Sequence, residues 1–192
     1  MTAGWVAAGR LSSRAQPSLA VEELLLRPWR ATDVAGVVEA YADPAIQRWH
    51  VRSMTEAEAL SWVSSWSERW AEETGASWVV LENEALLGRT GFNALDLSAG
   101  HGEAAYWVLP RARGRGVATR ALRAATDWMF SEVGLHRIEL LHATGNGASC
   151  RVAQKAGYAL EGTKRQHWRL ADGWHDVHMH ARLGKDGRPS SS

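Results

Sequence analysis

The chain has 192 residues, 45% of them hydrophobic, and a formal net charge of +1. That length can bury one substantial core, so a single domain is the default, and the near-neutral balance makes no case for a nucleic-acid surface. A lone cysteine excludes an internal disulfide and suits the cytosol, and no apolar run approaches the roughly 20 residues needed to cross a bilayer.

Residues 1–20 are small, polar and alanine-rich, with arginines and no acid before Glu22. This shares features with a transit peptide but is read as a flexible leader, and it lacks the apolar core of a secretory signal. Leu24–Arg27 is a short first strand halted by Pro28. Asp33 is placed to cap a helix reaching about Tyr41, and Asp43-Pro44 breaks it. Thr55 and Glu58 have the spacing of a capping box for a second helix to about Glu73, closed by Gly75. Ser77–Leu81 and Leu86–Leu95 read as two strands joined around Glu82-Asn83-Glu84. A strand over 103–109, a helix over 117–132 and a strand over 137–143 then make a β-α-β unit. A helix from about Ala148 to Lys155 ends at Gly157, and two final strands meet at Asp172-Gly173, a hairpin signal. Gly184–Ser192 reads as a disordered tail, which leaves one α/β domain over 21–183 with a mixed sheet.

The most informative stretch is Arg111-Ala112-Arg113-Gly114-Arg115-Gly116-Val117-Ala118. It lies between the apolar, aromatic strand that Pro110 stops and a helix start. Unpaired N–H groups and the positive dipole end of that helix favour an anion, glycines let backbone approach it, and arginines add charge. The loop lacks the Gly-Lys-Ser/Thr ending of a P-loop and the third glycine of the dinucleotide fingerprint. Taken alone, it also fits a solvated arginine turn.

Its neighbours carry a resemblance. Arg-x-x-Gly-x-Gly-x-Ala after a Tyr106-Trp107 strand is followed by His136-Arg137-Ile138-Glu139-Leu140, Asn146-Gly147-Ala148-Ser149, Lys155-Ala156-Gly157-Tyr158, Glu161-Gly162 and Asp172-Gly173-Trp174-His175-Asp176-Val177. This ordered series resembles the GCN5-related N-acetyltransferase (GNAT) family, in the branch of the RimJ/RimL-type ribosomal-protein N-terminal acetyltransferases. The close match covers residues 86–183, and a looser one begins near Leu24. The resemblance implies a mixed central sheet flanked by helices, with two parallel strands splayed apart to form an acetyl-CoA cleft.

By that resemblance, the backbone of Trp107, Val108 and Leu109 would hold pantetheine, and the loop of Arg111, Arg113, Gly114, Arg115, Gly116, Val117 and Ala118 would hold the pyrophosphate, mostly through main-chain N–H over 113–118. A backbone N–H near Val108 would polarise the thioester carbonyl. Ser149 is the candidate to hydrogen-bond or protonate the departing sulfur, with Asn146 orienting the cofactor arm or Ser149. A plain helix cap also explains Asn146 and Ser149. Glu103 is the candidate base, directly or through water, or else an exposed strand residue. A peptide α-amine has a pKa near 8, whereas lysine near 10.4 needs about 3 kcal/mol more to become neutral. The catalytic burden is therefore light for an α-amine.

Trp62, Trp66 and Trp70 repeat at helical spacing and form one face, either core or an aromatic wall. Together with Trp49, Trp62 and Trp66 are the candidates for an acceptor pocket, and Trp49-His50-Val51-Arg52 is the loop expected beside it. His178 and His180 share a strand face while His175 points away, and with His167 they match no recognisable zinc spacing, so no metal is expected. Cys150 is expected to be a packing residue, because the resembled family transfers the acyl group directly.

These readings imply an acetyl-CoA-dependent N-acetyltransferase acting on a primary amine, by resemblance the α-amine of a protein N-terminus. An antibiotic or amino-acid conjugate is the rival acceptor. A non-catalytic acyl-CoA sensor and a nucleotide-binding protein without CoA remain open alternatives. Relatives of this kind often pair, so a homodimer is compatible, although no residue marks an interface.

Overall fold

The computed structural model describes residues 4–186. Eight strands form one mixed sheet in the order β1-β2-β3-β4-β5-β6-β8-β7. They are β1 (Leu19–Val21), β2 (Leu24–Pro28), β3 (Ala76–Glu82), β4 (Ala85–Asp96), β5 (His101–Val108), β6 (Arg137–Ala143), β7 (Ala159–Leu170) and β8 (Gly173–Leu183). All neighbours are antiparallel except β5 and β6. That parallel pair requires a crossover, which is helix α4 (Val117–Trp128). The mixed α/β fold is the one expected from the resemblance.

The helices are α1 (Val34–Ala42), α2 (Pro44–His50), α3 (Glu56–Ala71), α4 and α5 (Gly147–Lys155). One core packs Leu24, Leu26, Trp78, Phe92, Ile138 and Leu140 of the sheet against the α4 residues Ala121, Leu122 and Ala125. A second joins α1–α3, through Val37, Tyr41, Ile46 and Val63, to Trp107 and Leu109. Strand alternation therefore sends Ala104 and Tyr106 toward the α4 side and Glu103, Ala105 and Trp107 toward the α1–α3 side.

Local chemistry explains most boundaries. Thr55 and Glu58 form the expected capping box, with Thr55 N donating to Glu58 Oε2 over 2.7 Å. Asp33 sits where α1 begins, but its carboxylate does not cap it; both oxygens take the Arg27 guanidinium at 2.8 Å, in a pair almost wholly buried. Asp43-Pro44 ends α1 as expected and also starts α2. Asp43 Oδ1 accepts from Ile46 N over 3.0 Å, and Pro44 occupies the first turn, where its missing N–H costs no bond.

The leader expected over residues 1–20 is a correction. Leu11 is fully buried in the main core. The Glu73 carboxylate accepts from the N–H groups of Gly9, Leu11 and Ser12, while the indoles of Trp70 and Trp78 donate to the carbonyls of Arg14 and Pro17 over 2.9 and 2.8 Å. Tryptophans anchor the segment through their N–H groups, which composition could not reveal. Met1–Ala3 and, of the expected tail, 187–192 lie outside the described residues; Gly184–Asp186 form a 3-10 turn.

Candidate active site

β5 and β6 pair only from His101–Ala104 with Arg137–Leu140. Beyond that register, β5 stays paired with β4 as far as Val108 and β6 stays paired with β8 as far as Ala143. The divergence is thus confined to the parallel seam, and a cleft of about 1110 Å³ opens there, lined by Ala105–Val108 on one side and Leu140–Ala143 on the other. The β5 edge facing this gap has no strand opposite, so its polar groups are available to a ligand. A bulge at Asn93 of β4, opposite Glu103 and Ala104, accompanies the opening.

At one end lies the glycine loop. Gly114 and Gly116 both have φ +74°, a left-handed conformation that favours glycine, and Gly116 is the N-cap of α4. The first-turn N–H groups of α4 have no intrahelical acceptor, and Gly114, Gly116, Val117 and Ala118 all line the cleft. Its arginines are less uniform than the sequence implied. Arg113 lines the cleft, with its guanidinium on Asp43 at 2.8 Å; that hydrogen bond holds the Asp43 carboxyl below its ordinary pKa.

The side chains of Arg111 and Arg115 do not add the charge expected of them. Neither lines the cleft. Arg111 bonds Glu39 and the Leu86 carbonyl, and Arg115 bonds Glu82 at 2.6 and 2.8 Å. Leu109 is a correction: it is fully buried, its N–H donates to Leu87 O and its carbonyl accepts from Ala112 N. Both backbone groups are committed internally, whereas Trp107 and Val108 do line the cleft.

The middle of the cleft brings Ser149 and Tyr106 together, with 2.8 Å between their hydroxyl oxygens. Asn146 caps α5 by accepting from Ser149 N over 3.1 Å, so the cap itself sets the serine position. Burial pushes the Tyr106 phenol up to about 12, so it stays a donor at neutral pH. Tyr106 was visible only as part of the strand motif; strict alternation placing it opposite to Glu103 was the signal. Glu103 also lines the cleft. Burial raises its pKa, the nearby Glu139 adds to that, and Lys164 and His167 partly offset it.

The other end is walled by side chains from separate segments: Trp49, His50 and Val51 from the end of α2, and His167, Trp168 and Trp174 from the β7–β8 hairpin. The expected loop at Trp49–Arg52 is therefore partly the last turn of α2, which stops at Val51 with φ +47°. Burial, together with the nearby Arg89 and Arg52, pushes the His50 imidazole down to about 4.

Trp62 and Trp66 line no part of this cleft. Trp62 packs against Trp29, Tyr41 and Trp66, and both indoles lie under the buried Arg89 guanidinium at 5.4 and 4.7 Å. The tryptophan stripe houses a cation within the fold and is not an acceptor wall. His178 and His180 do share a face. However, His142 of β6 and Cys150 of α5 meet them there.

Comparison with known proteins agrees with this geometry. The model of the acetyltransferase (GNAT) domain matches residues 23–159. Uncharacterized N-acetyltransferase YoaA of Bacillus subtilis is 26% identical over 155 residues, covering 79% of this chain and 88% of that protein. The ribosomal-protein-serine acetyltransferase of Escherichia coli is 28% identical over 105 residues, 55% of this chain and 59% of that protein. The structure of RimL, a ribosomal L7/L12 alpha-N-protein acetyltransferase in complex with coenzyme A, superposes with a TM-score of 0.81 at 21% identity, covering 87% of this chain and 98% of that one. The chain belongs to the GNAT acetyltransferase family and is an enzyme of the N-acetyltransferase type.

Proposed function

We propose that the cleft binds acetyl-CoA and that the enzyme transfers the acetyl group to the α-amine of a protein N-terminus. The observation that carries this reading is the seam between β5 and β6, with the α4 N-terminus at one end and Glu103 on the opposite sheet face. In this account the N–H groups of Gly114, Gly116, Val117 and Ala118 take the pyrophosphate, aided by Arg113. The free β5 edge at Trp107 and Val108 takes the pantetheine amides, and a backbone N–H near Val108 polarises the thioester carbonyl.

The neutral amine forms its N–C bond as the C–S bond breaks. Glu103 accepts the proton the nitrogen loses, directly or through water, and its raised pKa suits it to that role near neutral pH. The hydroxyl pair of Ser149 and Tyr106 donates a proton to the departing thiolate. Glu103 faces the α1–α3 side and Tyr106 the α4 side, so base and acid approach the reacting carbon from opposite faces of the sheet.

The acceptor assignment is supported by relatives whose names specify ribosomal-protein substrates and by an acceptor end rimmed by Trp49, Trp168 and the largely exposed Trp174. The test is mass-spectrometric mapping of acetylation on peptides with free or blocked N-termini, each carrying one lysine. Acetylation confined to free α-amines is expected. Transfer only to small amines, or none to any peptide, contradicts the acceptor assignment.

A further inference from the structure

Beside Ser149, on the α4 and α5 face of the sheet, four side chains converge that the transfer reaction does not use. His142 of β6 lies directly opposite His178 of β8 in the strand register, and His180 follows two residues later on the same face. Cys150, in the first turn of α5, closes over them. One ligand atom from each of His142, Cys150, His178 and His180 lies within 4.8 Å of the others.

The separations approach those of a coordination shell, from which small side-chain shifts would bring the four atoms onto one ion. His142 Nε2 and His180 Nε2 are 3.1 Å apart, and Cys150 Sγ is 3.9 Å from His180 Nε2. Zinc bonds near 2.0–2.1 Å to nitrogen and 2.3 Å to sulfur place tetrahedral ligand atoms roughly 3.3–3.6 Å apart.

Outer partners fix the tautomers. His142 Nδ1 is 2.8 Å from Ala143 O, and His180 Nδ1 is 3.3 Å from Tyr158 O. A carbonyl only accepts, so each Nδ1 carries the proton and donates it. Both Nε2 lone pairs then point at one another across 3.1 Å, an arrangement that an electrophile between them relieves. Backbone carbonyls holding the remote ring nitrogen are the usual outer shell of a metal-bound histidine. His178 Nδ1 is also shielded from solvent with no hydrogen-bond partner among the described residues.

We propose that His142, Cys150, His178 and His180 form a tetrahedral site for one divalent transition ion, with zinc the best match. Three imidazoles and one thiolate are borderline-soft donors, and the set contains no carboxylate to favour magnesium or calcium. Four protein ligands close the coordination sphere, so the ion is structural and takes no part in the chemistry. It ties the first turn of α5 to β6 and β8. Because Cys150 follows Ser149 directly, the ion also positions the Ser149 hydroxyl against Tyr106. The proposal does not depend on the identity of the acceptor.

Cobalt titration of the tag-free full chain, after dialysis against a chelator, tests it. One tight equivalent is expected to give the intense visible bands of a tetrahedral ion and a thiolate charge-transfer band, both bleached by zinc. In Cys150→Ser the charge-transfer band disappears. His178→Gln weakens cobalt binding by at least about tenfold, whereas His175→Gln, which lies outside the cluster, leaves it unchanged. Far-UV circular dichroism confirms that each variant is folded. Absence of the bands at one equivalent, failure of zinc to bleach them, or equal spectra and affinities in wild type and all three variants overturns the proposal.

Discussion

At the loop end of the cleft the wall is largely backbone: the turns at Gly114 and Gly116, the first N–H groups of α4 and the free edge of β5. At the opposite end it is made of side chains, with Trp49 brought in by α2 and Trp168 and Trp174 by the β7–β8 hairpin. A backbone site depends on a contiguous glycine pattern and tolerates varied flanking residues. A side-chain site depends on which distant segments the fold brings together. One fold can therefore keep the first kind of wall and vary the second, which fits a family that shares a donor and differs in acceptors.

The reaction centre between the two ends offers the largest predicted effect. Tyr106→Phe or Ser149→Ala should lower kcat by about 10²–10⁴-fold, the usual scale of general acid catalysis, with little change in the KM of acetyl-CoA. The double variant should cost hardly more than the worse single one, because the two hydroxyls act as a hydrogen-bonded unit. Additive losses in steady-state kinetics would show two independent roles.

Glu103→Gln should lower kcat/KM by roughly 10²-fold, and more for a lysine acceptor than for an α-amine. In the wild type the base must be ionised, so activity should fall as pH drops through a pKa raised above the ordinary carboxylate range by burial. A kcat/KM profile whose acid limb is unchanged in the variant would remove Glu103 from the role.

His50 extends the comparison to stability. Its imidazole is held neutral, with a pKa pushed down to about 4 against 6.5 when unfolded. Between those values the unfolded chain binds more protons, so stability is fully present above pH 6.5 and declines as pH falls through that window, by up to about 3 kcal/mol. Denaturant melts should show a flatter decline in His50→Gln. At the small end of the scale, Arg115→Ala should change the acetyl-CoA KM by less than about twofold, because its guanidinium is spent on Glu82 in an exposed pair. A tenfold rise would return Arg115 to the cleft.

Much of the fold was readable from local rules. The capping box at Thr55, the Asp172-Gly173 hairpin and the strand–loop–helix around Gly116 all use residues within a few positions of one another. Errors arose where a partner lies far away. The side chains of Arg111 and Arg115 look like phosphate ligands until Glu39 and Glu82 arrive from other segments, and Trp62 and Trp66 look like a pocket wall until Arg89 covers their faces. Leu11 gives no periodic signal, yet Trp70 and Trp78 hold its segment from over 55 residues away. The same reason hid the histidine cluster: His142 lies near the end of β6, and no spacing rule links it to Cys150, His178 and His180.

The division of the cleft into two independent walls is tested most directly by crossed kinetics on Gly116→Val and Trp174→Ala, with both substrates varied. Valine at a φ of +74° distorts the α4 N-terminus and costs two or more N–H contacts, so acetyl-CoA KM should rise about 10–100-fold while the acceptor KM holds. Trp174→Ala should do the reverse, raising the acceptor KM by about tenfold with acetyl-CoA unaffected. Acetyl-CoA KM unchanged in Gly116→Val, or both constants moving together in both variants, would contradict the account.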